Sequence, residues 1–160
     1  QLGYAGDWLF SADLATDETI QAAGADILEG VAHTVVSSTD QETEEYQTFV
    51  DLHTTVTGED PGPFAANSFD GLNLMALALV AGGGCDGATI NDNIQDVSRE
   101  GTVVTSFADG AEALANGEDI NYEGASGSHE FDEKGDVPGV VIETVIEGAG
   151  FKDVGPVALN

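Results

Sequence analysis

The stretch Gly124 to Asp136, GASGSHEFDEKGD, gathers glycines, carboxylates, a histidine and one of the three basic residues of the chain. Such a mixture could hold a metal, supply a general base, or form a turn. As a metal loop it would place Asp132, Lys134 and Asp136 at alternate ligand positions, but a calcium loop needs oxygen at each of these and a bidentate Glu near its end. Lys134 puts an ammonium where an oxygen belongs. As a catalytic loop it offers His129 and Glu130 without a nucleophile, base and orienting group, and Ser126 lacks the strand-turn-helix elbow of a hydrolase nucleophile. A hairpin uses the residues better: Gly124 and Gly127 permit unusual backbone angles, Phe131 points inward, and Gly135 turns the chain toward the next strand.

Other chemistry-bearing residues are scattered. His33, His53 and His129 show no HxxH or HxH spacing, so zinc binding is unsupported, and His53 sits on an apolar helical stripe where a packed side chain is expected. Cys85 is the single cysteine, which excludes an internal disulfide and any multi-cysteine metal site. Gly82-Gly83-Gly84 follows a helix instead of preceding one, against a phosphate cradle. No metal site, cofactor or catalytic residue is expected. Asp7-Trp8 differs, because a carboxylate and a large aromatic at the end of a first strand fall where ligand clefts of α/β sheets gather. The carboxylate can pair a ligand ammonium and the indole can cover an apolar group or cation. The competing reading is an exposed Asp capping a turn beside a half-buried Trp.

The elements that must position these residues follow from periodicity. Leu2 to Phe10 predicts a short strand, and Asp13 a cap for a helix through about Ala25 with Leu14, Ile20 and Ala23 on one face. Glu29 to Ser38 is β-branched and predicts a strand. Thr39 with Glu42 forms a capping box, opening a helix whose Tyr46, Phe49, Val50, His53 and Val56 make a buried stripe. Gly58 to Pro63 stops it. NSFDGLNLMALALVAGGG predicts a helix lying against a sheet on most of its circumference, and Ile90, Ile94 and Val97 align on another from about Thr89 to Ser98. TVVTSF, INYEG, SHEFD and GVVIETVIEG read as short strands, with a brief helix over Ala111 to Asn116. The pattern is α/β with a parallel core and some antiparallel edge. So few short strands make only part of a larger fold.

Thirty Asp and Glu against three Lys and Arg give a formal charge of −27 over 160 residues, with mean hydropathy −0.05. Nucleic acid is excluded as a partner, since phosphate binding needs clustered cations. The acidic residues run through every segment, and molar salt would shorten the screening length of their repulsion to about 3 Å. Adaptation to high salt is therefore expected. No apolar run reaches the length of about 18 residues that a membrane span needs. The chain opens in mid-strand pattern without a methionine, which suggests processing or truncation.

Four stretches are familiar in their order: GDWLFSADL after the first strand, LEGVAHT, the long helix SFDGLNLMALALVAGG, and TSFADGAEALANGEDINYEGASGSHEFDEKGDV into the final strand. Together they resemble the substrate-binding proteins of branched-chain amino acid ABC transporters, and the match covers nearly the whole chain. The resemblance implies part of a two-lobe type I periplasmic-binding-protein fold, mostly parallel sheets flanked by helices with an antiparallel hairpin near the C-terminus. It implies that residues 1–38 end the second (C-terminal) lobe, that 39–107 belong to the first (N-terminal) lobe, and that 108–160 form a crossing segment, the hairpin and the last strand. The N-terminal portion of the family fold, with the groups holding the ligand carboxylate, would be absent. GASGSHEFDEKGD becomes the family's closing hairpin, a structural feature.

By the same resemblance, Asp7 stands where the family binds the α-ammonium of its ligand, with Trp8 beside it. The implied function is that of a non-enzymatic, extracellular or periplasmic solute receptor. It would capture a branched-chain amino acid, amide or similar small zwitterion in an inter-lobe cleft and deliver it to a membrane permease. A lipid anchor on the missing portion is compatible with this. A sensor domain of a receptor or regulator would share the cleft without the permease, and a small acidic hydrolase is the enzyme alternative.

Overall fold

The structure is a computed structural model that describes residues 6–62, 64–132, 134–137 and 139–157. In chain order the elements are β1 (Trp8–Phe10), α1 (Asp17–Ala23), α2 (Ala25–Leu28), β2 (Ala32–Ser38), α3 (Glu44–Thr57), α4 (Ala65–Gly82) and α5 (Gly87–Asn93). There follow β3 (Thr102–Val104), α6 (Phe107–Ala115), β4 (Ile120–Gly124), β5 (Gly127–Ser128), β6 (Val140–Glu147) and β7 (Gly150–Pro156). The chain divides into two compact units, the first Gln1–Ser38 with Gly139–Asn160 and the second Thr39–Pro138.

In the first unit, Thr16 rather than Asp13 opens α1. Its backbone is extended and its Oγ1 accepts the Thr19 N–H at 3.3 Å, while Asp13 lies in a preceding 3-10 turn. Asp17 and Glu18 in the first helical turn suit the positive end of the helix dipole. The sheet runs β1-β2-β6-β7, with β1–β2 parallel and the other pairs antiparallel. Ile20, Leu28, Ala32 and Ile146 form its core, backed by Phe10, Ala25 and Phe151. Thr34 and Thr144 face each other across β2 and β6 and share a buried hydroxyl bond at 3.0 Å, so the core carries no unsatisfied oxygen there.

The strand β7 was not expected. Gly148 and Ala149 both take positive φ, 65° and 63°, between the paired residues Glu147 and Gly150, which is the geometry of a tight two-residue hairpin. Alanine at the second position, where Asn or Gly is usual, hides that turn in the sequence. Such hairpins admit only antiparallel partners. The antiparallel share is accordingly larger than the motif order implied: only β1–β2 and β3–β4 are parallel among the described strands. Of the first predicted strand, Trp8–Phe10 is strand, and residues 2–5 lie outside the described residues.

In the second unit the cap of α3 is Thr43, whose Oγ1 accepts the Tyr46 N–H at 3.2 Å, four residues beyond the expected Thr39. Asp40 spends its carboxylate on the Glu42 N–H in the turn before. Phe49 is buried on α3, whereas Val56 is 75 % exposed, so the apolar stripe fades toward the C-terminus. Likewise α4 buries one face only, Ala66, Asp70, Leu74, Leu77 and Ala78, and leaves Leu72, Met75 and Val80 exposed. Burial on most of its circumference is not found. No single helix among the described residues is long and apolar enough to cross a membrane.

The three glycines that end and follow α4 make a corner, not a phosphate cradle: α4 and α5 meet at 93°. A Cβ on Gly84 would stand 2.0 Å from the Thr89 hydroxyl oxygen, and one on Gly82 2.5 Å from Asn93 and Thr89 side-chain atoms. Asp86 then caps α5, which stops at Asn93, short of the expected Ser98, although Val97 is buried in the following turn. The unit β3-α6-β4 is a parallel crossover, and β4 turns back through Ala125-Ser126 into the short β5. Strand pairing ends at Ser128, so most of SHEFD lies outside the strand. The core of this unit joins Leu74, Leu77, Ala78, Val97, Val104, Ala113, Ile120 and Tyr122.

Candidate functional site

In the first unit Asp7 is exposed immediately before β1, and Trp8 opens the strand with 45 % of its surface exposed. The pair therefore stands at the start of the described strand and not at its end, because pairing with β2 begins at Trp8 opposite Ala32. The Trp8 N–H donates to the Val31 carbonyl at 2.7 Å, which fixes the backbone. Alternation along the strand puts Trp8 and Phe10 on one face, with ring centroids 6.3 Å apart, and leaves Leu9 on the other, 72 % exposed. A ligand meeting Trp8 would thus find an aromatic wall braced by Phe10.

The second unit contains a polar constellation that sequence reasoning missed. Asp70 is fully buried on α4, yet its carboxylate accepts four bonds: Oδ1 from the Tyr122 hydroxyl at 2.8 Å and the Ala125 N–H at 3.0 Å, and Oδ2 from the N–H and the hydroxyl of Ser126, each at 2.6 Å. These fill the acceptor positions of a carboxylate, which is why a charge can sit there without a cation. Asn73 adds a bond from its amide to the Tyr122 oxygen at 2.8 Å. The effect is to clamp the β4–β5 turn onto α4. A signal was available: Asp70, Leu74 and Leu77 share one helical stripe, and a carboxylate on an apolar stripe requires partners.

Burial first, and then the Asp70 charge, hold the Tyr122 phenol well above its ordinary value. An unfolded tyrosine ionises near about pH 10. The folded state is then stabilised relative to the unfolded one below that pH and loses the advantage as pH rises beyond it. Unfolding measured in denaturant across the alkaline range should show this decline. Tyr122→Phe should flatten it, while lowering stability at neutral pH because Asp70 loses a donor.

Ser126, His129 and Asp70 superficially suggest a hydrolytic triad. The geometry rejects this. In a triad the carboxylate holds one ring nitrogen and the serine the other, whereas here the same His129 Nε2 faces both Ser126 Oγ at 3.2 Å and Asp70 Oδ2 at 3.6 Å. Ser126 moreover gives its only hydroxyl proton to Asp70 directly, leaving its oxygen to accept from His129. The neutral ring therefore carries its proton on Nε2, and Nδ1 is buried. Burial pushes the His129 imidazole below its ordinary value, outweighing the opposing attraction of Asp70, a hydrogen bond to the Gly127 backbone and the charge of Glu123.

Other candidates carry less. A groove of about 650 Å³ between α3, α4 and the start of α6 is walled by Phe49, Leu52, Phe69 and Phe107. Three of its thirteen lining residues are acidic, against thirty of 160 overall, so the groove selects no charge beyond the general surface. Asp132 accepts the N–H groups of Lys134 and Asp136 and organises a turn at Gly135, which commits its Oδ1 to backbone. Among the described residues no cluster of three or more His, Cys, Asp or Glu side chains could hold a metal ion. Cys85 is exposed in the glycine corner.

A sequence profile of the receptor family ligand binding region matches residues 1–145. The chain belongs to this family. No curated protein matches it. Among solved structures it is similar to the leucine binding protein LivK of Thermotoga maritima, with TM-score 0.65 and 19% identity over 98% of this chain and 39% of that one. It is also similar to the branched-chain amino acid transporter substrate binding protein LivJ of Streptococcus pneumoniae, solved with isoleucine, with TM-score 0.60 and 18% identity over 98% of this chain and 38% of that one. An ABC transporter solute binding protein from R. palustris, solved with benzoate, matches with TM-score 0.52 and 17% identity over 88% and 34%. At these identities the likeness establishes the fold, that of type I periplasmic binding proteins. Members of one fold thus take a zwitterion or an aromatic anion, and the receptor family's fold alone does not name a ligand. The chain spans about 39% of the length of the Thermotoga protein.

Proposed function

We propose that the chain is part of the solute-binding component of an ABC transporter, taking a branched-chain amino acid or a similar small zwitterion and passing it to a membrane permease. The observation that carries this reading is the fold shared, over 98% of this chain, with a leucine binding protein and with an isoleucine complex. Asp7, exposed beside an exposed Trp8, supplies what a zwitterion needs at one end: a carboxylate for the ammonium and an aromatic surface for the side chain. In this reading residues 1–38 belong to the second lobe, 39–107 to the first, and 108–160 to the crossing segment, hairpin and last strand. The protein would work at the extracellular face of the membrane or in the periplasm, in concentrated salt, which would screen its charge of −27.

The test is calorimetric titration of leucine, isoleucine, valine and a set of amides into the protein carrying this chain, in molar KCl. Micromolar binding is expected. Asp7→Asn should weaken it by at least about thirtyfold, the consequence of unpairing a buried ligand ammonium. Binding that survives the substitution removes Asp7 from the site.

A sensor role is the second reading, favoured by the family's own description as a receptor ligand binding region. Ligand binding without any effect on uptake through a permease would favour it. A hydrolase is disfavoured by the arrangement of Ser126, His129 and Asp70.

A further inference from the structure

We propose that the groove between α3, α4 and the start of α6 is a binding site for an organic cation with an apolar body, of the arylalkyl amine class. The proposal does not depend on the zwitterion reading of Asp7 and Trp8. Position is its first argument. Thr105 and Ser106 directly follow β3 and Ala125 directly follows β4, so the groove opens at the carboxyl ends of two parallel strands. Ligand crevices of α/β sheets gather at that end.

The walls define the body of the ligand. Phe49, Phe69, Phe107 and Leu52 surround about 650 Å³, within the range of roughly 300–1,000 Å³ that small-molecule sites occupy. Phe49 and Phe69 brace each other with ring centroids 5.2 Å apart, and Phe49 is buried. Phe107 and Leu52 are exposed, so the outer wall has apolar surface left to cover.

The groove alone selects no charge, but a recess of about 170 Å³ continues it and shares Glu45 and Thr105 with it. Three of the nine residues lining the recess are acidic, Asp40, Glu45 and Glu123, against thirty of 160 in the chain. Neither cavity is lined by a Lys, Arg or His among the described residues. Glu45 and Glu123 are half-buried, and Glu123 is held by the Asn121 amide at 3.1 Å. The N-termini of α3 and α6 border the same space, each worth about half a positive charge, and Glu44 and Asp109 in their first turns already answer them. The balance is negative. An ammonium reaching the recess meets carboxylates while its body lies against the rings. A carboxylate on the ligand would instead face Glu44 and Asp109, which disfavours zwitterions here. In concentrated salt the rings supply most of the affinity and the carboxylates the selection, because screening weakens charge attraction and leaves apolar burial intact.

The experiment is an amide NMR titration of phenethylamine into the protein carrying this chain, beside phenethyl alcohol and phenylalanine as neutral and zwitterionic probes. The amine should bind with a dissociation constant near or below about 1 mM, moving the amides of Phe49, Phe69 and residues 105–109. The alcohol and phenylalanine should bind at least about fivefold more weakly. Glu45→Gln combined with Glu123→Gln should bring the amine down to the level of the alcohol without changing the alcohol, whereas Phe107→Ala should weaken both. Equal affinity for the three probes in the unaltered protein would overturn the proposal. Shifts centred on Trp8 would do the same by assigning the amine to the zwitterion site, as would shifts that spread over the acidic surface without saturating.

Discussion

Replacing Asp70 with alanine should lower the stability of the Thr39–Pro138 unit by about 4 kcal/mol, a large part of the total of roughly 5–15 kcal/mol typical of a domain. The substitution strands four donors at once: the Tyr122 hydroxyl, two backbone N–H groups and the Ser126 hydroxyl. Each buried donor without an acceptor costs on the order of 1–3 kcal/mol, though the Ser126 hydroxyl can rotate toward other acceptors. Asp70→Asn should fall between, since it keeps one acceptor oxygen but turns an amide NH₂ toward donors. Denaturant unfolding followed by helical circular dichroism reads this unit, because its helices α3 and α4 are the longest in the chain. Fluorescence of Trp8, the single tryptophan, reads the other unit and should respond less. Equal loss in both signals would mean that the units do not unfold separately.

Gly124→Ala should be nearly as damaging, at about 3 kcal/mol, although it adds one methyl group. A Cβ at Gly124 would stand 2.1 Å from Asp70 Oδ1 and 2.6 Å from the Tyr122 oxygen, inside the hydrogen bonds themselves. The carboxylate cannot retreat without losing Ala125 and Ser126. Gly71→Ala, one residue from Asp70 on α4, meets no atom within 4 Å and should instead stabilise by about 0.5–1 kcal/mol, as alanine does within a helix. Opposite signs for these two substitutions, measured in the same denaturation assay, would show that the close approach at Gly124 is the cause.

The helices and most strands were legible because they depend on near neighbours. The stripe Leu74, Leu77, Ala78 repeats at helical spacing, and GASGS between strand-forming residues announces a turn. Caps were less legible. Asp13 and Thr39 are good capping residues in isolation, yet Thr16 and Thr43 hold the helices, because the first N–H groups choose the side chain that the extended backbone presents to them. The hairpin into β7 was missed since its positive-φ alanine is tolerated only where pairing of β6 with β7 holds it.

Sequence alone determined the α/β class, the acidity, the order of motifs that marks the receptor family, and the turn within GASGS. These rest on composition, periodicity and turn chemistry, which act over a few residues. Only the tertiary structure decided what Asp70 does, since its four donors lie 52 to 56 residues away and nothing local couples them. Folding likewise decided which faces are buried: α4 is apolar nearly all round in sequence but covered on one side, and Trp8 opens the described part of the first strand with Asp7 just before it. Burial and hydrogen-bond satisfaction are properties of groups brought together by folding, and a chain with thirty carboxylates does not say beforehand which one will be enclosed.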